Sequence, residues 1–203
     1  YIFASSGSIY GLKKEKNVTE ELGLDPITEY NKSKMICEKV INSYSDKIKT
    51  TILRPATVCG YSPRLRLDVV LNIFCYQAYF KNQITLFGGN QTRPLLHIQD
   101  MIRAYEFVIN KKLVGIFNVG FENMKTSILA RQVANYFNCK IKYLKSNDKR
   151  SYRMNSDKFL QTGFNPKFSS KNAILDLKNF FETKPNITDQ NINLKWLKQK
   201  KII

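Results

Sequence analysis

Phe3-Ala4-Ser5-Ser6-Gly7-Ser8-Ile9-Tyr10-Gly11 and, after a polar loop, Pro26-Ile27-Thr28-Glu29-Tyr30-Asn31-Lys32-Ser33-Lys34 are the stretches on which the fold turns. The first reads as the end of a buried strand, Tyr1-Ile2-Phe3-Ala4, running into a serine and glycine turn. The second opens a helix. Thr28 has the short hydroxyl side chain of an N-cap, and a helical pattern runs to about Tyr44 with Met35, Ile36, Val40 and Ile41 on one face.

Working outward, Thr50-Thr51-Ile52-Leu53 is strand-like and stops at Arg54-Pro55. Asp68 to Phe80 is apolar at helical spacing, and Ile84 to Asn90 reads as a hairpin-like stretch leading to Arg93-Pro94. Asp100 is expected to cap a helix whose stripe is Ile102, Tyr105 and Ile109. His97, ahead of it, is expected to be structural. Gly115 to Gly120 is a short buried strand, Thr126 or Ser127 caps a helix carrying Leu129, Val133 and Phe137, and Lys140 to Leu144 alternates as a strand. Ser169-Ser170 opens a last helix with Ile174, Leu177 and Phe181 inward. Strands alternating with helices argue an α/β chain with a parallel sheet.

The composition narrows the function. Of 203 residues, 43% are apolar and 12% aromatic, enough for a packed core and against disorder. No apolar run approaches the roughly 20 residues of a membrane helix, so no membrane partner is expected. Lys and Arg number 33 against 16 Asp and Glu, a net charge of +17. That excess could serve nucleic acid or a phosphorylated ligand, but 25 of the 33 are lysines scattered along the chain, as an AT-rich composition imposes. With no nucleic-acid-binding pattern beside it, nucleic acid is not the expected partner. Cys37, Cys59, Cys75 and Cys139 are far apart and His97 is the single histidine, so no metal site and a reducing, cytoplasmic setting are expected.

The chemistry centres on Ser6, Tyr30 and Lys34. Tyr30 and Lys34 are four apart, one turn along the same helix face. A cation beside a phenol favours the phenolate, the state in which a tyrosine works as a base. Ser6, at a strand end, can hold a carbonyl or alcohol oxygen against it.

Taken in order, Phe3 to Gly11, Pro26 to Lys34, Leu53-Arg54-Pro55-Ala56-Thr57-Val58-Cys59-Gly60, Arg93-Pro94-Leu95-Leu96-His97-Ile98-Gln99-Asp100, Gly115 to Gly120 and Asp148-Lys149-Arg150-Ser151-Tyr152 resemble the extended short-chain dehydrogenase/reductases, the NAD-dependent epimerase/dehydratases that act on nucleotide sugars. The resemblance runs from Tyr1 to about Phe181. It implies the C-terminal part of a Rossmann-like doubly wound parallel sheet over residues 1–60, and a smaller α/β substrate-binding lobe over 61–183. The chain would return to the Rossmann sheet near 95–120, and a basic tail would occupy 184–203.

The roles implied by the resemblance are specific. Tyr30 is the acid/base, Lys34 supports it and holds the nicotinamide ribose, and Ser6 hydrogen-bonds the reacting sugar oxygen. Pro55 and Thr57 lie along the nicotinamide. Arg93 and Arg150 grip the diphosphate, for which a guanidinium fork is suited; Arg66 and Asn72 are weaker substrate contacts. The cofactor implied is NAD, with NADP as the alternative, and the partners are a nucleotide-diphosphate sugar and a second copy of the chain in a homodimer.

Two departures bear on the activity. Two places after Ser6, where dehydratases of this family carry an acidic residue, stands Ser8, which favours an epimerase, or a keto-sugar reductase, over a dehydratase. No stretch supplies the glycine-rich dinucleotide fingerprint, and the chain starts without Met. It therefore reads as the C-terminal two-thirds of an enzyme, inactive alone, with a non-catalytic nucleotide-sugar-binding relic as the alternative.

Overall fold

A computed structural model describes residues 1–146 and 151–192. Among these residues, three short sheets carry the architecture. In the first, β1 (Ile2–Ala4), β2 (Thr51–Pro55) and β6 (Gly115–Val119) are all parallel in the order β1-β2-β6, with Ile2 opposite Thr51 and Ile52 opposite Ile116. The central strand β2 is buried along nearly its whole length, as expected of a parallel strand covered on both faces. Pro55 ends β2, Ala56 donates its N–H to the Val119 carbonyl, and the chain crosses into a second sheet.

That sheet joins β3 (Thr57–Cys59), β5 (Thr92–His97) and β7 (Glu122–Lys125), with β5 parallel to β3 and antiparallel to β7. The third pairs β4 (Gln83–Phe87) with β8 (Lys140–Leu144) in parallel. The hairpin expected after Ile84 is absent, because β4 finds its partner across a long sequence separation instead of in the adjacent strand.

The helices are α1 (Glu29–Asn42), α2 (Val70–Lys81), α3 (Ile98–Lys111), α4 (Thr126–Phe137), a single turn α5 (Asp157–Leu160) and α6 (Ser170–Glu182). Two hydrophobic clusters result. One joins Leu53, Leu96, Met101, Val108, Phe117 and Phe159 around the first sheet. The other gathers α2, α4 and α6 through Leu71, Phe74, Leu129, Val133, Ile174 and Phe181. Helices α2 and α4 end on Asn82 and Asn138 in the left-handed conformation, which asparagine tolerates better than most residues.

Several local expectations shift. Ile36 and Val40 on α1 are 55% and 54% exposed, and the buried side chains of that helix are Asn31 and Glu38. Helix α3 buries Asp100, Met101, Ala104 and Val108, while Ile102 and Ile109 face out. Its N-cap is His97, whose Nδ1 accepts the Gln99 N–H at 3.1 Å. Asp100, in the first turn, instead accepts the N–H groups of Lys167 and Phe168 and pairs with Arg103. Helix α4 starts without a side-chain cap, its first N–H groups being taken by the Gln91 and Gly89 carbonyls. Ser169 caps α6 in a capping box with Asn172, and Ile174, Leu177 and Phe181 are buried as expected. The first part of the expected tail is docked: Leu67 donates to the Asn191 carbonyl at 2.7 Å, and Asn191 Nδ2 returns a bond to the Leu65 carbonyl.

Candidate active site

The site begins where β1 stops. Ser5 N–H still donates to the Leu53 carbonyl, continuing the ladder, and Ser6 then caps a 3-10 turn over Gly7–Tyr10 by accepting the Ser8 N–H at 3.2 Å. Gly11 closes the turn at φ 70, and a Cβ there would overlap the Asp25 carbonyl. Opposite, Thr28 Oγ1 accepts the Asn31 N–H and starts α1.

The first turn of α1 brings Tyr30 to the cleft, where it is 55% exposed. Lys34, one turn on, has its ammonium 5.8 Å from the Tyr30 ring centroid and 4.9 Å from that of Phe3. It donates to the Ala4 carbonyl at 2.8 Å, tying the helix to the end of β1. The four-residue spacing thus puts the ammonium on the same helix face as the phenol ring. Ser6 Oγ lies 2.7 Å from Ser8 Oγ, and Ser8 Oγ donates to Asn31 Oδ1 at 2.7 Å.

A buried polar network fixes this end from behind. Arg54 forks onto Glu38, with Nη2 to Oε2 at 2.6 Å and Nε to Oε1 at 3.0 Å, and donates to the Tyr10 hydroxyl at 2.8 Å. Tyr10 in turn donates to Asn118 Oδ1. Burial pushes the Tyr10 phenol up to about 12, against the pull of Arg54. Burial opposes the Arg54 charge, but the bonds to Glu38 and the pull of Tyr10 outweigh it and hold the guanidinium above its ordinary value. The network locks α1 to β2 and to the 3-10 turn, the elements that carry Tyr30 and Ser6.

The cleft measures about 970 Å³. Its lining includes Ser6, Ser8, Tyr30 and Asn31, the Pro55 to Thr57 segment, and Arg64, Arg66 and Arg93. Arg66 Nε bonds Asp68 Oδ1 at 2.8 Å, and Asp68 is the only carboxylate among the described lining residues. Asn72 also lines it, but its amide is spent on backbone: Oδ1 accepts the Gly60 N–H, and Nδ2 donates to the Gly60 and Arg66 carbonyls. It clasps the loop that carries Arg66, where a sugar or phosphate contact was expected. Arg150 lies outside the described residues.

Arg64, Tyr152, Ser8 and Asn31 line the cleft without having been singled out as site residues. For Arg64 a signal existed: Leu65 and Leu67 are buried, so Arg64 and Arg66 share the opposite side of an alternating segment. Ser5 Oγ, also lining the cleft, is 3% exposed and has no hydrogen-bond partner among the described residues.

Parallel sheet, serine turn and the tyrosine and lysine on one helix face define an α/β protein of the extended short-chain dehydrogenase/reductase type. The chain belongs to the NAD dependent epimerase/dehydratase family, whose model matches residues 1–120. It is similar to a Bacillus subtilis (strain 168) protein described as an uncharacterized UDP-glucose epimerase, YtcB: 34% identical over 125 residues, covering 59% of this chain and 39% of that protein. With the dTDP-D-glucose 4,6-dehydratase of Bos taurus it is 27% identical over 192 residues, 86% of this chain and 53% of that one. The solved UDP-glucuronic acid 4-epimerase of Bacillus cereus, in complex with UDP-glucuronic acid and NAD, shares the fold at a TM-score of 0.78 and 24% identity over 91% of this chain and 62% of that one. The chain spans about half the length of the curated relatives it matches. No helix among the described residues is long and apolar enough to cross a membrane.

Proposed function

We propose that this chain carries the proton-transfer groups and much of the substrate site of an NAD-dependent nucleotide-sugar epimerase. The observation that supports it best is the cleft itself, lined by the Tyr30 phenol, the Ser6 hydroxyl and arginines, with no described carboxylate but Asp68, already paired with Arg66. Elimination of water needs an acid or base at the neighbouring ring carbon, and Ser8 stands where the resemblance implies that group in dehydratases. Interconversion of a secondary alcohol and a ketone needs only one group to move the hydroxyl proton.

Tyr30 takes that proton from the sugar hydroxyl and later returns it. Lys34 keeps a positive charge beside the phenol and has two donors left for a ribose hydroxyl. Ser6 holds the reacting oxygen, Arg93 meets the diphosphate and Arg66 is a weaker sugar or phosphate contact; Arg150, which the resemblance also implies for the diphosphate, lies outside the described residues. For NAD, the residues present fit the nicotinamide end: Pro55 and Thr57 line the cleft, and Ser5 offers a buried hydroxyl without a partner among the described residues. When bound, NAD supplies a hydride acceptor for the ring carbon. With no glycine-rich fingerprint among the 203 residues, this chain by itself is expected to hold NAD weakly.

Ile36 and Val40, four residues apart on the outer face of α1, and Tyr44, just past its end, are exposed, which supports a homodimer through that face. Ile36→Glu with Val40→Glu should yield a monomer by sedimentation; an unchanged dimer would move the interface elsewhere.

The function is tested by incubating the whole protein that carries this chain with NAD and a panel of UDP-, dTDP-, GDP-, CDP- and ADP-sugars. A stereoisomer formed without loss of water is expected. A dehydrated keto-sugar product would contradict it, and reduction of a keto-sugar by NADPH in its place would assign a reductase.

A further inference from the structure

Ser8 Oγ donates to Asn31 Oδ1 at 2.7 Å and lies 2.7 Å from Ser6 Oγ. A hydroxyl has one hydrogen. Since Ser8 has given its own to Asn31, the hydrogen between the two serines comes from Ser6. Ser6 also accepts the Ser8 N–H at 3.2 Å, which uses one of its two lone pairs. What Ser6 has left for the cleft is a lone pair and no hydrogen. The direction of the chain is set by Asn31, whose carbonyl end faces Ser8; an amide NH2 there would reverse it and free the Ser6 hydrogen.

We propose that Ser8 and Asn31 are positioning residues that make Ser6 a hydrogen-bond acceptor in the waiting cleft, so that the site receives its sugar as an alcohol in preference to a ketone. This depends on the nucleotide-sugar assignment above and deepens it. A sugar hydroxyl can donate to the Ser6 lone pair at once. A sugar carbonyl can only accept, so Ser6 must first withdraw its hydrogen from Ser8, at the cost of about one neutral hydrogen bond. Ser8, where the resemblance implies an acidic residue in dehydratases, is here the middle member of a hydroxyl and amide chain that ends on Asn31. The two are 23 residues apart in sequence and meet only through the packing of α1 on the 3-10 turn.

The test is calorimetric binding to the whole protein carrying Tyr30→Phe, in which turnover is not expected, with UDP-glucose as the alcohol and UDP-4-keto-6-deoxyglucose as the ketone. Ser8→Ala should shift the ratio of the two dissociation constants toward the ketone by a factor of about 5. Asn31→Leu, which leaves the Ser8 hydrogen free to turn toward Ser6, should shift it the same way. Ser8→Thr, which keeps the hydroxyl, should leave the ratio unchanged. Added to Ser6→Ala, Ser8→Ala should change the ratio no further. Weakening of both ligands together, or an unmoved ratio in both Ser8→Ala and Asn31→Leu, would overturn the proposal. Failure of both ligands to bind the protein with Ser6, Ser8 and Asn31 intact would instead remove the nucleotide-sugar assignment, and the proposal with it.

Discussion

At the Tyr30 end of the cleft, the side chains stand on a strand end and a helix braced from behind by the buried Arg54 and Glu38 pair. Elsewhere in the lining, Arg64 and Arg66 ride on the loop between β3 and α2, held by the Asn72 amide and by Asn191. Glu38, Arg54, Tyr10 and Asn118 form a continuous buried chain of hydrogen bonds that ties the first end to the core. The loop is held by these hydrogen bonds and by the buried Leu65 and Leu67, while Arg64 and Arg66 stand exposed on its other side. Proton transfer requires fixed geometry to a few tenths of an ångström, whereas diphosphate recognition tolerates adjustment.

The contrast can be broken first at its rigid end. Glu38→Ala strands a buried guanidinium, and a loss of about 3–5 kcal/mol in unfolding free energy is expected, read by chemical denaturation. A loss below about 1 kcal/mol would mean that the brace is not one. At the loop, Asn72→Ala leaves the Gly60 N–H without its partner, with an expected cost of about 1–3 kcal/mol. It should raise KM for the nucleotide sugar with little change in kcat; a fall in kcat at constant KM would show that the two regions are not separable in this way.

The smallest effect concerns His97, the last residue of β5 and the N-cap of α3. Burial lowers its pKa below the ordinary value near 6.5, against the pull of Asp176 and Asp100, and its Nδ1 is committed to the Gln99 N–H. Nε2 lies 3.2 Å from Asp176 Oδ2, close enough for attraction but without the alignment of a hydrogen bond. In the unfolded chain the imidazole takes a proton near 6.5, and in the folded chain only at lower pH. The neutral ring therefore contributes stability that is complete above about pH 6.5 and is lost as pH falls through the lowered folded value. His97→Asn keeps a capping side chain and removes the titration, so between pH 7 and pH 5 it should lose less stability than the wild type. Equal losses would contradict the assignment.

Much of this was legible in local sequence. Thr28 marked the start of α1, the four-residue step from Tyr30 to Lys34 put phenol and ammonium together, and the α6 stripe of Ile174, Leu177 and Phe181 proved buried. The orientation of α1 was not legible, because the burial of Glu38 is decided by Arg54 on a later strand, and an apolar count favours Ile36 and Val40. The same limit hid the parallel partner of β4, the docking of Asn191 on the Leu65 to Leu67 segment, and the Ser8 to Asn31 bond. Each joins residues that no local periodicity connects.

The central claim is that Tyr30 moves the proton of a nucleotide sugar bound across this cleft. It is tested most directly by Tyr30→Phe in the whole protein, with turnover and nucleotide-sugar binding measured side by side. A fall in kcat of about 10²–10⁴-fold with the dissociation constant nearly unchanged is expected. Turnover at the wild-type rate would contradict the account.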